Sequence, residues 1–348
     1  MSNSVIKAAV LGATGYVGLE LINILSKYSD IELKFLGSQN IINKDIRQFD
    51  KRIINNNLPD ISHIDSFDSE NLDFIFLALP HKVSHQVVKK IYLNKKSSLP
   101  KIIDLSADFR INNEIDYKKN YENDHSCPEL LSNFVYGLPE INSKLIKVSD
   151  NVAVPGCYPT SILLPLIPLI KNELIKSENI IIDSKSGYSG AGKKFDKNHL
   201  FKVNDFNFYN YNTNEHRHIC EIKQELSKFS KKEIKFSFNP HILPIFRGMM
   251  STIYCDLNKS VDINDIKNCL NNYYKTSKFI KLFESKTRND FFKVQNTNNC
   301  YLNIFNHYDD SKIIIVSLID NLLKGASGQA IQCMSLMNNE TEDYRAIK

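Results

Sequence analysis

No stretch of this 348-residue sequence is apolar and unbroken over the length that a membrane crossing needs. No secretory leader opens it, because Met1 to Lys7 runs straight into a short apolar segment broken by Gly12. Cysteine is sparse and badly placed for cross-linking. The seven residues (127, 157, 220, 255, 269, 300 and 333) are odd in number, widely spaced and free of CxxC pairs. That pattern argues against a disulfide framework and a zinc site, and fits free thiols in a reducing cytoplasm. Surplus charge is also slight. A formal net charge of +5, from scattered lysines, gives no case for nucleic acid as a partner. With 42% hydrophobic and 24% charged residues the composition is that of a globular protein, and the length suffices for two domains.

What the sequence does have is organised around Val154-Pro155-Gly156-Cys157-Tyr158-Pro159-Thr160. An apolar run from Asn151 ends in Pro-Gly and presents one cysteine. Beyond it, Ser161 to Ile170 reads as an apolar helix, with Pro159 and Thr160 in its cap and first turn. A thiol at a helix start sits where unsatisfied N–H groups and the positive dipole end favour the thiolate, the nucleophilic form. Gly156 permits close backbone approach where a substrate carbonyl would need N–H donors. The plainer reading of Cys157 is a small buried apolar residue in a turn.

The first third alternates strand and helix. Ile6 to Leu11 is an apolar strand, followed by Gly12-Ala13-Thr14-Gly15-Tyr16-Val17-Gly18 and a helix from Val17 to Lys27. Strand, glycine-rich turn and helix are what a dinucleotide pyrophosphate requires, although the spacing is GxxGxxG rather than GxGxxG. Gly12, Thr14, Gly15, Tyr16 and Val17 are the cofactor contacts this predicts. The second strand, Glu32 to Leu36, ends in Gly37-Ser38-Gln39-Asn40, with no acid to bind ribose hydroxyls. Ser38 and its small polar neighbours leave room for a 2′-phosphate and favour NADP, with Lys44 and Arg47 the nearest cations. A third strand, Asp73 to Leu79, runs into Pro80 and His81, where a cofactor crevice opens; His85 is expected on a helix flank.

Ile102 to Leu105 is a fourth strand, ending in Ser106-Ala107-Asp108-Phe109-Arg110. Two readings stand for Arg110: a bidentate grip on an anionic substrate, or a structural clasp with Asp104 or Asp108. Residues 112–134 are polar and read as a loop excursion. Later, Ile180 to Lys185 leads into Ser186-Gly187-Tyr188-Ser189-Gly190-Ala191-Gly192-Lys193, which lacks the GxxxxGK[ST] of a phosphate-binding P-loop. Its backbone N–H groups and Lys193 could still hold a phosphate; Ser189 and Gly190 are candidate cofactor contacts and Lys193 a substrate contact. Residues 196–214 read as a polar loop.

His216-Arg217-His218 then precedes a helix bearing Ile222 and Leu226. No further His or Cys cluster completes a metal site, so acid–base work is the better use of the pair, with Arg217 a substrate contact. Ile234–Phe238 and Met250–Asp256 alternate as strands joined by a long connection that carries His241 and Arg247, which suggests a mixed sheet. Lys312 to Ile319 is a last strand, leading to Asn321, a candidate for the nicotinamide carboxamide, and a helix to Met337.

Eight blocks occur in order: Gly12–Gly18, Leu79-Pro80-His81, Asp104–Arg110, Tyr136-Gly137-Leu138-Pro139-Glu140, Pro155–Thr160, Ser189–Gly192, His216–His218 and Asn321–Ala326. Together they resemble the N-acetyl-gamma-glutamyl-phosphate reductase family, arginine-pathway relatives of aspartate-semialdehyde dehydrogenase, over nearly the whole chain. The chain departs from the family pattern at Val154, where Asn is usual, and at Cys220, where Pro is frequent.

The resemblance implies an α/β protein: a Rossmann NADP-binding domain plus an α+β catalytic domain with a mixed sheet, like glyceraldehyde-3-phosphate dehydrogenase. It implies a split at 1–153 and 325–348 for the cofactor domain and 154–324 for catalysis and dimerisation. It further implies a cytoplasmic homodimer or homotetramer acting on a small acyl phosphate. Cys157 would displace phosphate to give a thioester, with His218 as proton shuttle and His216 beside it. Two alternatives remain: an aminoadipate-type semialdehyde reductase of lysine biosynthesis, and a non-catalytic NADP-binding regulator.

Overall fold

The computed structural model describes residues 5–94, 98–202, 205–283, 287–341, 343 and 345. The chain divides into two compact units, one running to Pro155 and resuming at Ala326, the other spanning Gly156–Gly325. In the first, β1 (Ile6–Leu11), α1 (Tyr16–Leu25), β2 (Ile31–Ser38), β3 (Ile61–His63), β4 (Phe74–Leu77) and α2 (Ser84–Leu93) follow one another. They continue as β5 (Lys101–Asp104), α3 (Glu114–Tyr121), β6 (Val135–Tyr136), α4 (Pro139–Lys147) and β7 (Asn151–Ala153). The strands lie in the order β3-β2-β1-β4-β5-β7-β6, and every pairing is parallel. Phe74 to Leu77 and Ile102–Ile103 are buried on both faces, which is why these strands read as unbroken apolar runs. Strand order reverses between β1 and β4, so their carboxyl ends open the crevice at which Gly12 and Pro80 leave the sheet.

The segment 112–134, expected as a loop, contains α3. Asn113 starts it by accepting the N–H groups of Ile115 (2.8 Å) and Asp116 (3.4 Å), and Glu114, Asp116, Lys118 and Lys119 suit the helix dipole. Only Tyr117 and Tyr121 turn inward, so the helix has almost no apolar stripe to betray it.

The second unit comprises α5 (Cys157–Lys171), β8 (Ile180–Gly187), β9 (Phe201–Lys202), β10 (Asp205–Phe206), β11 (Tyr209–Asn210) and α6 (His218–Ser227). After these come β12 (Phe236–Leu243), β13 (Met249–Asp256), α7 (Ile263–Tyr273), β14 (Ile280–Leu282), β15 (Cys300–Asn306) and β16 (Lys312–Ile319). Its main sheet runs β11-β12-β8-β13-β16-β15-β14 and is mixed, with β12–β8 and β14–β15 parallel and the rest antiparallel. The expected polar loop at 196–214 holds the small β9–β10 ladder and the edge strand β11. β12 also runs further than expected, straight through Pro240. The Pro240 carbonyl accepts Tyr211 N–H at 3.1 Å, so its main-chain polar groups face the β11 edge and its missing donor costs β8 nothing.

α5 is the spine of this unit, buried from Tyr158 to Ile170. It starts at Cys157, two residues before the proline first expected to open it, because Gly156 takes the cap conformation (φ −65°, ψ 156°). Pro159 then falls in the first turn, where no N–H is needed. Pro168 interrupts the ladder further on, and the Leu164 carbonyl it leaves without a helical donor is taken by Tyr274 Oη at 2.6 Å.

The chain rejoins the first unit as α8 (Gly328–Met337), which packs on α4. Gln332 Nε2 donates to Glu140 at 3.1 Å, and Cys333 lies against Gly137. Beyond the helix, buried Arg345 bridges Asp30 (2.7 Å) and Glu340 (2.8 Å).

Lys82, exposed just before α2, holds φ at +72° while donating its N–H to Asp108. That conformation penalises a Cβ, so Lys82→Gly should stabilise by up to about 1 kcal/mol, and a melting temperature higher by roughly 2 °C checks it. A lower melting temperature would show that the Lys82 side chain compensates the strain.

Candidate active site

In the first unit the turn after β1 is built for close approach. Gly12 has φ +89°, and a Cβ there would lie 2.1 Å from the Ala78 carbonyl oxygen. A Cβ on Gly18 would lie 2.2 Å from Gly12 O, so β1, α1 and the β4 end meet only because both are glycine. The N–H groups of Gly12 and Ala13 both donate to Gly37 O at 2.9 Å, tying the turn to the end of β2. Gly15 is the cap of α1, and no side chain fills that helix end. Tyr16 and Val17 begin the helix, half-exposed, with their N–H groups in the orphan positions that suit a pyrophosphate. Thr14 Oγ1 and Ser38 Oγ stand 3.4 Å apart at the rim. Residues and cradle therefore fit a dinucleotide.

Of the two cations near Ser38, Arg47 is paired with Asp45 through Nε at 2.8 Å, and Lys44 is exposed. Pro80 is exposed after β4, and His81 Nδ1 accepts Ala107 N–H at 2.9 Å, which fixes the ring as the Nε2–H tautomer. Beneath it lies a buried carboxylate pair. Asp108 accepts Lys82 N–H (2.8 Å), His85 N–H (3.2 Å) and Tyr117 Oη (2.8 Å). Asp104 is pushed up to about 7 by burial and then by Asp108. His85, expected on a flank, is buried and bonded to Ser126 at 2.6 Å. Arg110 holds main chain on two sides. Its Nε donates to Val154 O (2.6 Å) and its Nη2 to Leu105 O (2.7 Å), so the guanidinium clasps main chain just ahead of Pro155.

In the second unit, Cys157 is the half-exposed first residue of α5. Gly156 N–H donates to buried Glu221 Oε1 at 2.9 Å, and Gly156 O accepts both Thr160 N (2.9 Å) and Thr160 Oγ1 (3.0 Å). Gly325 abuts the nucleophile candidate, because a Cβ on it would lie 2.7 Å from Cys157 Cβ. Tyr158, next in the chain, packs its ring on His216 (5.4 Å) and His218 (5.9 Å). The rings of the two histidines lie 4.7 Å apart in different surroundings. His216 Nδ1 accepts His218 N–H at 3.1 Å, capping the start of α6, and its Nε2 faces Tyr211 Oη at 3.4 Å. Tyr211 donates on to Tyr158, and Tyr158 to His241 O, both at 3.3 Å. Burial, with Arg217 as the lesser cause, lowers His216 to about 4, so it is neutral near pH 7. His218 occupies the first turn of α6, one turn before Glu221. Arg217 is exposed and makes no ion pair among the described residues.

Asn321 is buried, with its amide engaged at both ends. Its Oδ1 accepts Gly248 N–H (2.8 Å) and its Nδ2 donates to Ser189 Oγ (2.9 Å). Gly190 and Lys193 are exposed on the turn after β8. Arg247, on the connection between β12 and β13, is buried against Asp320, Nη2 to Oδ1 at 3.1 Å, and against Asn296 at 2.9 Å. Sequence reasoning missed Glu221 and Gly325. A signal for the first was its position one turn after His218, and for the second its glycine in Asn321–Ala326.

Two family models cover most of the chain: semialdehyde dehydrogenase, NAD binding domain, over residues 7–149, and semialdehyde dehydrogenase, dimerisation domain, over 157–321. Among curated proteins, the N-acetyl-gamma-glutamyl-phosphate reductase of Ehrlichia ruminantium (strain Gardel) is 44% identical, covering 95% of this chain and 94% of its own. That of Clostridium botulinum (strain Eklund 17B / Type B) is 40% identical over 95% of each. Among solved structures, aspartate semialdehyde dehydrogenase II of Vibrio cholerae has the same fold. Its TM-score is 0.71 at 17% identity, over 97% of this chain and 99% of the other.

The neutral state of His216 has a pH consequence. Between pH 6.5 and about 4 the unfolded chain binds a proton that the folded unit refuses, so stability falls as pH falls through that window. The shift caps this loss at about 3 kcal/mol. His216→Asn should flatten the decline in denaturant midpoint between pH 7 and pH 4.5, and an equally steep decline would mean that His216 titrates freely in the folded protein.

Proposed function

The chain belongs to the semialdehyde dehydrogenase family, and from that premise we propose that it reduces N-acetyl-L-glutamyl 5-phosphate to N-acetyl-L-glutamate 5-semialdehyde, releasing phosphate, in arginine biosynthesis. The observation that carries this reading is a half-exposed cysteine heading α5, in a chain aligned almost end to end with reductases of that name. Those names also disfavour the aminoadipate-type substrate and the non-catalytic regulator.

The roles follow from the chain's own groups. Cys157 Sγ attacks the acyl carbon, the C–O bond to phosphate breaks, and a thioester forms on sulfur. Burial and the cap at Gly156 put the acyl oxygen near the first N–H groups of α5, which can stabilise the developing charge. NADPH, the nicotinamide cofactor that fits the Gly12–Gly18 cradle, supplies the hydride when bound. His218 holds the proton exchanged with sulfur and substrate oxygen, a contribution worth about 10²–10⁴ in rate. His216 accepts the main-chain N–H of His218 and steadies the backbone at the start of α6, a positioning rather than a proton-transfer role. Arg217, exposed and unpaired among the described residues, and Lys193 suit the substrate's anionic groups. Arg110 we assign to holding the main chain ahead of Cys157 rather than to substrate.

Thr14 and Ser38, with no acid at the end of β2, support NADP over NAD. Gly12, Gly15, Tyr16, Val17, Pro80 and His81 complete the cofactor contacts on the first unit; Ser189, Gly190 and Asn321 remain candidates from the second. We place the cofactor domain on residues up to 155 and from 326, and the catalytic domain between them. A homodimer or homotetramer would form through the sheet face turned away from α5, where Ile181 is 53% and Tyr254 37% exposed. A nucleophilic thiol suits the reducing cytoplasm.

Cys157→Ser should abolish turnover, because a hydroxyl is a far weaker nucleophile near neutral pH, while NADPH binding, read by nucleotide fluorescence, persists. Turnover near the wild-type rate would remove the covalent mechanism. Steady-state kinetics should favour NADPH over NADH in kcat/KM, and a preference for NADH would show that the Ser38 rim does not accept a 2′-phosphate.

A further inference from the structure

Asp108 and Tyr117 take no part in the chemistry above, yet both are fully buried beneath the turn that leaves β4. Asp108 Oδ1 accepts the Lys82 N–H and Tyr117 Oη, each at 2.8 Å, and Oδ2 accepts the His85 N–H at 3.2 Å. One residue earlier, Ala107 N–H donates to His81 Nδ1 at 2.9 Å. Residues 107 and 108 are thus zipped along the turn, from His81 to the first turn of α2. Val83, at the cap position of α2, has no polar side chain to offer. Asp108, from a later part of the chain, takes that part for the His85 N–H.

Both main-chain groups can only donate, so Asp108 has to accept on both of its oxygens. An amide at 108 could not do that. Whichever way it turned, its Nδ2 would face the Lys82 or the His85 N–H, donor against donor. Lys82 holds φ at +72°, a conformation that persists in a residue with a side chain only where the surroundings impose it. Asp108 supplies that constraint and is itself held by Tyr117. Of α3 only Tyr117 and Tyr121 are buried, so bringing one hydroxyl under the turn is much of what this helix contributes. The Tyr117 ring stacks on Tyr121 (5.2 Å) and meets His85 and His125 edge-on (6.2 and 5.1 Å), which fixes where its hydroxyl points. The braced turn continues β4, whose Ala78 carbonyl oxygen would lie 2.1 Å from a Cβ on Gly12. It therefore begins beside the Gly12–Gly18 cradle.

We propose that Asp108 and Tyr117 are positioning residues for the nicotinamide cofactor, holding the Pro80–Val83 turn in the shape that receives the dinucleotide. Without the brace the turn relaxes towards a less strained shape. The apparent affinity then falls by the fraction of molecules that keep the competent one. This rests on the cofactor contacts of Pro80 and His81 proposed above.

The test is equilibrium binding of NADPH to the full chain, read by nucleotide fluorescence well below each variant's melting temperature, with steady-state kinetics alongside. Asp108→Asn sets a donor against one main-chain N–H and should raise Kd roughly tenfold or more. Tyr117→Phe keeps the ring and both main-chain bonds but loses the hydroxyl, and should raise Kd about two- to fivefold. KM for NADPH should follow Kd, with kcat at saturating cofactor little changed. A purely structural role would lower the fraction of sites that bind and leave the Kd of the remainder unchanged. A wild-type Kd in either folded variant therefore overturns the proposal, and Tyr117→Phe carries the test alone if Asp108→Asn does not fold. Failure of the wild-type protein to bind NADPH would remove the cofactor reading and this proposal with it. Binding without reduction of the acyl phosphate would count against the proposed reaction and leave the binding comparison to decide as before.

Discussion

The hydrogen bond from Gly156 N to Glu221 ties the start of α5 to α6 and is the contact around which the second unit's candidate site is built. It closes the first turn of α5, and the same turn is held from two further sides: Thr160 on the Gly156 carbonyl and Gly325 against Cys157 Cβ. A helix start is a natural place for a reactive thiol, but fraying would let the thiol wander. Three contacts from separate parts of the chain remove that freedom. They also explain why Gly325 carries no side chain, since a Cβ there would lie 2.7 Å from Cys157 Cβ.

Around that turn the polar groups are arranged in a single sense. The relay from His216 through Tyr211 and Tyr158 to the His241 carbonyl gives every hydroxyl one donor and one acceptor role and leaves His216 neutral. A neutral His216 can accept the main-chain N–H of His218, and so a buried, uncharged histidine steadies the first turn of α6. Further along, Asp320 accepts the N–H groups of Leu322 and Leu323 and pairs with Arg247, which steadies the turn that brings Gly325 to Cys157. The first unit follows a different logic, in which missing side chains at Gly12 and Gly18 let strand, turn and helix meet closely enough to receive a phosphate.

Much of this was legible without coordinates. Buried parallel strands announce themselves as apolar runs, so β1, β4 and β5 were evident, as were the glycine turn after β1 and Cys157 after Pro-Gly. Where the pattern carries little burial, legibility failed. α3 buries only two tyrosines, β11 lies on an edge, and Pro240 masked a strand in which its missing N–H costs the pairing with β8 nothing. Arg110 stayed open between a substrate grip and a structural clasp, since an arginine at a strand end does not reveal which carbonyls or carboxylates of the same chain reach it.

The sequence by itself determined two sheet-bearing regions, a nucleotide turn and a thiol at a helix start, because periodicity and glycine spacing are local properties of a chain. Tertiary structure alone decided which titratable groups share a neighbourhood. Glu221 reaches Gly156 across 65 positions of chain and Asn321 reaches Ser189 across 132, while burial rather than residue type made His216 neutral and raised Asp104. Desolvation and long-range hydrogen bonds depend on what packs nearby, and no local pattern encodes that.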